Sequence, residues 1–307
     1  MNRVKNKCCL RTYQIILVIF LLSCGYLAAQ SELVELHSCQ STMLDQKVNY
    51  TVILPGNYYQ TSEKYPVIYL LHGIGGNGNS WISRCNFNSL IDSLKNLKLV
   101  TDFIYVMPDA QNSYYIDNYN KSFLYESFFI KEFIPFIDSV FRTQPSASER
   151  TLMGLSMGGF GAVVIGIKHP ELFGTVISMS GALRDSATMA NLPQDKYNRL
   201  FSGVYGPDLK GQNRITNHWK LNSPYYLIDS IYAQHLKAVN WYIDCASGDS
   251  LYPVNESFHK LLMNYDIPHE FHSCPGQHNW AYWYSSSVKA LIYNTYLLHK
   301  KISTSQP

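Results

Sequence analysis

Residues 151–170 read TLMGLSMGGFGAVVIGIKHP, five glycines around a single serine, Ser156. The spacing cannot be laid over a dinucleotide-binding G-x-G-x-x-G or a phosphate-cradling G-x-x-x-x-G-K-[ST], and no Lys or Arg follows until Lys168. What fits is Gly154-Leu155-Ser156-Met157-Gly158, a G-x-S-x-G elbow, in which a strand turns at once into a helix and leaves the Ser in a strained backbone conformation. Glycines two residues before and after are required because side chains there would collide across the turn. The elbow needs a buried strand before it and a helix behind it, so it constrains the fold of everything around it.

The rest of the chain supplies that fold. Residues 65–73 (YPVIYLLHG), 102–110 (DFIYVMPDA), 150–156, 174–181, 239–249 and 268–276 are short apolar runs of the kind that form buried parallel strands. Between them, residues 88–97, 124–141, 160–169, 254–264 and 280–298 carry apolar residues at helical spacing. Two β-rich runs, 33–44 and 47–54, predict an antiparallel hairpin ahead of this series. The expected class is α/β: a mostly parallel central sheet with helices on both faces. Ligands bind such sheets at the carboxyl ends of the strands. Residues 182–232, rich in Asn, Asp, Tyr and Pro, break the alternation and read as an insert over that end, either a substrate-shaping cap or a surface loop.

The N-terminus reads as an address label. Arg3, Lys5, Lys7 and Arg11 precede the apolar run 15–22 (IILVIFLL), which is too short to span a membrane comfortably and suits a secretory signal. Cleavage after Ala29 in GYLAAQ is expected, with the alternative that LLSC is a lipobox leaving Cys24 lipidated. Residues 30–307 would then form one domain. Removing 1–29, which hold four positive residues and no acid, turns the formal net charge of +3 into about −1, so nothing implies nucleic acid. Four of the seven cysteines remain, Cys39, Cys85, Cys245 and Cys274; an exported chain permits disulfides, but their spacing matches no zinc site and buried thiols are the plainer expectation.

A serine hydroxyl is a poor nucleophile until an imidazole accepts its proton, and the imidazole needs an acid to fix its tautomer. In elbow-bearing sheets these follow in the order Ser, acid, His. Asp249, in DCASGD beyond the strand at 239–245, and His278, in CPGQHNWAYW before the last helix, satisfy that order. Asp244 is a competing acid, but it falls within the strand. Oxyanion donors are expected from the Met157 amide and, in LLHGIGGNG, from the Ile74 amide, with His72 bracing that loop.

At these residues the chain resembles α/β-hydrolases of the esterase D and feruloyl esterase type, which include tributyrin and acetylxylan esterases. The resemblance is carried by YLLHGIGG, MPDAQNSYY, YESFFIKEFIPFID, GLSMGGFGA, SGDSLY and PGQHNWAYW. It implies the α/β-hydrolase fold, with Ser156 as nucleophile, Asp249 as acid and His278 as base. Many relatives carry Glu or an extra acid just before the Asp, where this chain has Ser247-Gly248.

The expected activity is that of an exported serine esterase that works through an acyl-enzyme, with no metal or organic cofactor, on small-molecule or polysaccharide esters. Trp81, Tyr114, Tyr115, Trp280 and Trp283 flank motif residues and are candidates to line the cleft, their apolar faces and polar edges suiting sugars or phenolic acyl groups. Removal of acetyl or feruloyl groups from carbohydrates is the expectation. A general short-chain carboxylesterase, an acyltransferase to a sugar hydroxyl and a non-catalytic carbohydrate-binding protein are the alternatives. A membrane enters only through the lipid anchor.

Overall fold

The computed structural model describes residues 32–228 and 233–304. The expected leader, with its cleavage site and lipobox, lies outside them. Eight strands form one sheet in the order β1-β2-β4-β3-β5-β6-β7-β8. β1 (Glu32–Ser41) and β2 (Gln46–Leu54) make the N-terminal hairpin, and β2 joins β4 (Ile104–Pro108) antiparallel. From β4 onward every pairing is parallel, through β3 (Val67–Leu71), β5 (Arg150–Leu155), β6 (Thr175–Met179), β7 (Asn240–Asp244) and β8 (His269–His272). This is the α/β-hydrolase fold.

Strand alternation splits the core into two layers. Val67, Tyr69 and Leu71 of β3, with Ile104 and Val106 of β4, face the layer built on Phe129, Phe133 and the helix Met157–Lys168. Ile68 and Leu70, with Tyr105 and Met107, face Trp81, Phe87, Leu90 and Leu291. Burial on both faces is why these strands read as unbroken apolar runs rather than alternating ones. The helix Met157–Lys168 is apolar all round because it lies wholly inside the first layer.

Two local features were not expected. The helical segment at 124–141 is interrupted by a π-turn, Phe129–Phe133, between Tyr125–Phe128 and Ile134–Val140. Pro135 follows directly; it has no N–H to give and would clash with the carbonyl four residues back in a regular helix, and a wider turn before it relieves both problems. A short helix, Ser80–Cys85, precedes the expected one at Phe87–Asn96, and the two are separated by Asn86 in the left-handed conformation that Asn tolerates.

The insert is structured. Short helices at Ser186–Ala190, Gln194–Leu200, Ser202–Tyr205, Asn217–Lys220 and Pro224–Leu227 follow one another. Arg214, 2% exposed, ties them together by donating to the carbonyls of Met189, Ala190, Leu192 and Leu209 and to Gln194 Oε1, while its guanidinium lies 4.4 Å from the Tyr197 ring centroid.

Candidate active site

Ser156 follows β5 directly and has φ 55° and ψ −112°, a conformation that costs an L-residue on the order of 1–3 kcal/mol. Hydrogen bonds on its own backbone hold it there. Its N–H donates to Met179 O (2.9 Å), and its carbonyl accepts from Phe160 N–H (3.1 Å) and Ala182 N–H (3.0 Å). The two elbow glycines are sterically obligatory: a Cβ on Gly154 would lie 2.1 Å from Gly158 O, and one on Gly158 would lie 2.1 Å from Leu71 O.

The loops after β7 and β8 bring the other two residues to this turn. His278 Nε2 lies 2.9 Å from Ser156 Oγ, and His278 Nδ1 lies 2.7 Å from Asp249 Oδ2. The Asp249 side chain is fully shielded from solvent, whereas His278 is about a third exposed, so the acid is enclosed and the base faces the opening. Burial pushes the Asp249 carboxyl up; hydrogen bonds from His278, the Leu251 amide (2.8 Å to Oδ1) and Ser180, with the charge of His278, hold it below the usual carboxylate value. An ionised Asp249 accepts a hydrogen bond from His278 Nδ1–H, which leaves Nε2 as an acceptor for the Ser156 hydroxyl. Asp244 does not approach His278. It ends β7, is 1% exposed and lines a separate cavity of about 350 Å³ with Tyr282, Ser286 and Lys289. Burial raises its carboxyl, against the opposing hydroxyls of Tyr282 and Ser286.

Met157 opens the helix, so its N–H belongs to the first turn, whose amides have no intrahelical acceptor. Ile74 lines the same cavity as Ser156. Its loop is fixed from two directions. The neighbouring Gly75 N–H donates to Asn112 Oδ1 (2.8 Å), and buried His72 donates from Nδ1 to Gly73 O (2.8 Å) while its Nε2 accepts from Ala110 N–H (3.0 Å). With both ring nitrogens committed, His72 braces the loop.

The cavity over Ser156 has a volume of about 310 Å³ and is lined by Gly73, Ile74 and Gly76 of the loop, with Leu155, His278, Asn279, Trp280, Trp283 and Arg84. Of the five aromatic candidates, Trp280 and Trp283 line it, and Trp283 stands edge-on to His278 (4.9 Å, 87°). The other three do not. Trp81 is fully buried behind Trp280, at 5.8 Å and 87°, because it packs with Phe87 in the second core layer. Tyr114 packs on Phe160 and Phe201, and Tyr115 is held inside by its hydroxyl donating to His72 O (3.0 Å). No described residue of the insert lines the cavity either, so the expected substrate-shaping role finds no lining residue there. Sequence reasoning missed Arg84 because its helix was not anticipated; its place three residues after Trp81, on one side of a helix, was the available signal. The four described cysteines are free, and burial pushes the thiols of Cys39, Cys85 and Cys245 up to about 11, about 12 and about 12.

A family model described as "Putative esterase" matches residues 41–293. An esterase of Mycobacterium tuberculosis (strain ATCC 25618 / H37Rv) is 30% identical over 257 residues, covering 78% of this chain and 54% of that protein, so the chain spans about half the length of that relative. An acetyl esterase of Caldicellulosiruptor saccharolyticus is 28% identical over 225 residues, 72% of this chain and 80% of that protein. Among solved structures, a ferulic acid esterase superposes with a TM-score of 0.76 at 30% identity, covering 88% of this chain and 99% of that one.

Proposed function

The chain belongs to this esterase family of α/β-hydrolases, and from that premise we propose that it is a serine carboxylic-ester hydrolase whose acyl-enzyme forms on Ser156. The observation that carries the reading is the continuous relay from Ser156 Oγ through both nitrogens of His278 to Asp249, at 2.9 and 2.7 Å. Ser156 Oγ attacks the ester carbonyl as His278 Nε2 takes its proton, and Asp249 stabilises the imidazolium. The Met157 and Ile74 amides receive the negative charge on the carbonyl oxygen. Collapse of the tetrahedral intermediate expels the alcohol, which takes the proton back from His278. Water, deprotonated by the same nitrogen, then releases the acid.

The acyl group we favour is acetyl or feruloyl and the alcohol a carbohydrate hydroxyl. The chain's similarity to an acetyl esterase and to a ferulic acid esterase supports this, as does the half-buried Trp280 ring on the lining of the Ser156 cavity, which suits sugar or phenolic rings. The positively charged, then apolar, N-terminal run supports export.

The test is a substrate panel of p-nitrophenyl acetate, p-nitrophenyl butyrate, methyl ferulate and acetylated xylan, run with the wild type and Ser156→Ala. The wild type is expected to turn over esters and to react with a fluorophosphonate. Ser156→Ala is expected to keep its melting temperature and to lose both properties, with kcat down by about 10⁴ or more. Turnover by Ser156→Ala near the wild-type rate would remove the serine from the mechanism.

A further inference from the structure

Among the described residues, Arg84 is the one Arg, Lys, Asp or Glu on the lining of the Ser156 cavity. It lies in the last turn of the helix Ser80–Cys85, is exposed, and makes no ion pair among the described residues. A basic residue suits the carbonyl end of a helix, but that role does not require a side chain bordering the cavity. Arg84 also lines a second, open groove of about 600 Å³, together with Asn86, Trp280 and Tyr284. The two depressions share Arg84 and Trp280, so the groove continues the Ser156 cavity outward. Trp280 and Tyr284 stand one helical turn apart, and Tyr284 is 40% exposed, so ring surface is open along the groove. No described Asp or Glu lines either depression.

We propose that Arg84 is a specificity-determining residue that selects esters of acidic carbohydrates, binding a uronic-acid carboxylate in the groove beyond Trp280 while the acylated hydroxyl reaches Ser156. The inference rests on the ester-hydrolase reading above. A guanidinium presents paired N–H donors that match a carboxylate, and here no protein carboxylate occupies them. Aromatic faces at Trp280 and Tyr284 supply stacking for the sugar rings on either side, and the Asn86 amide supplies a neutral hydrogen-bonding group. A cavity walled by apolar rings with one uncompensated positive charge attracts anionic substrates over neutral ones, and salt weakens the preference.

Acetylated oligosaccharides of matched length, with and without a uronic-acid residue, provide the test. The wild type is expected to show a kcat/KM ratio of about 10 to 100 in favour of the acidic substrate, carried by KM and reduced at high salt, in keeping with a charge-assisted hydrogen bond. Arg84→Gln should bring that ratio close to one, Arg84→Lys should retain part of it, and Arg84→Glu should invert it. A wild-type ratio of one, or a ratio that survives Arg84→Gln, would overturn the assignment while leaving the hydrolase reading intact. If neither substrate is hydrolysed, p-nitrophenyl acetate and methyl ferulate decide the hydrolase reading, which fails if they too are untouched; calorimetric titration of the deacylated oligosaccharides into wild type and Arg84→Gln decides the site alone, with equal affinity for acidic and neutral chains counting against it.

Discussion

Two aromatic regions border the elbow, Tyr114 and Tyr115 with the insert, and Trp280 and Trp283 at the start of the last helix, and only the second opens onto Ser156. Residue type does not separate them, since all four are large, amphipathic and adjacent to a motif. Backbone and partners do. Tyr114 and Tyr115 sit consecutively at φ 55° and 62°, an unfavourable left-handed pair whose rings are both buried. Tyr115 fills the space beside Gly161, where a Cβ would lie 2.5 Å from its ring, and Phe201 of the insert closes over Tyr114 at 4.9 Å. Trp280, by contrast, is half-buried at the cavity rim where the last helix starts, and Trp283, one turn on, is buried against it at 5.4 Å while its edge still lines the cavity. One region is a wall built for packing, and the other lines the cavity over Ser156. Changes in the strand-end loops and the helix start should therefore alter rate and selectivity, and changes in the insert region should alter stability.

The sharpest break between them is at the acid. Asp249→Asn keeps the shape of the side chain but removes the charge and favours the wrong His278 tautomer, with an expected loss of about 10⁴ in kcat and a folded protein by circular dichroism. A loss confined to KM would mean that the relay is not used.

On the packing side, Phe201→Ala removes a ring that is 2% exposed and in contact with Tyr114, Tyr197 and Tyr205. A loss of about 3–5 kcal/mol in unfolding free energy is expected, with kcat/KM on p-nitrophenyl acetate changed by less than about threefold in the remaining folded protein. A large fall in kcat/KM with little change in stability would show that the insert acts on the site after all.

The smallest effect lies in pH dependence, where Asp244 at the end of β7 and Asp249 beyond it have opposite signs. Asp249 has its pKa lowered in the fold, so its contribution to stability is present above the ordinary carboxylate value and is lost as pH falls through the lower folded value. Asp244 has its pKa raised, so its contribution is full below the ordinary value and is lost as pH rises through the raised one. Asp244→Asn should therefore compare best with the wild type at neutral pH and above, and lose ground as pH falls through the raised value to about 4, the ordinary carboxylate range, below which the difference stays constant. Asp249→Asn should flatten the acid limb of the melting curve. Identical pH profiles for the two variants would mean that the environments of the two acids are not distinct.

The chain itself determined the sheet, because strands buried on both faces must be mostly apolar and Val67–Leu71 and Ile104–Pro108 are so throughout. It also determined the elbow, since only glycine fits at 154 and 158, and the order Ser156, Asp249, His278, since each lies just past a strand end. Which of Asp244 and Asp249 meets His278 followed from strand length, a local property. Tertiary structure alone decided which aromatics face the cavity. Trp81 and Trp280 have the same composition of surface and comparable neighbours in the chain, but Trp81 is covered by Phe87 and by Trp280 itself, and coverage is a property of the partner. The same holds for Arg84. Its exposure is local, but its place on the rim of the Ser156 cavity depends on a loop, a short helix and the last helix meeting across nearly 200 residues of sequence, and no spacing within one segment encodes that meeting.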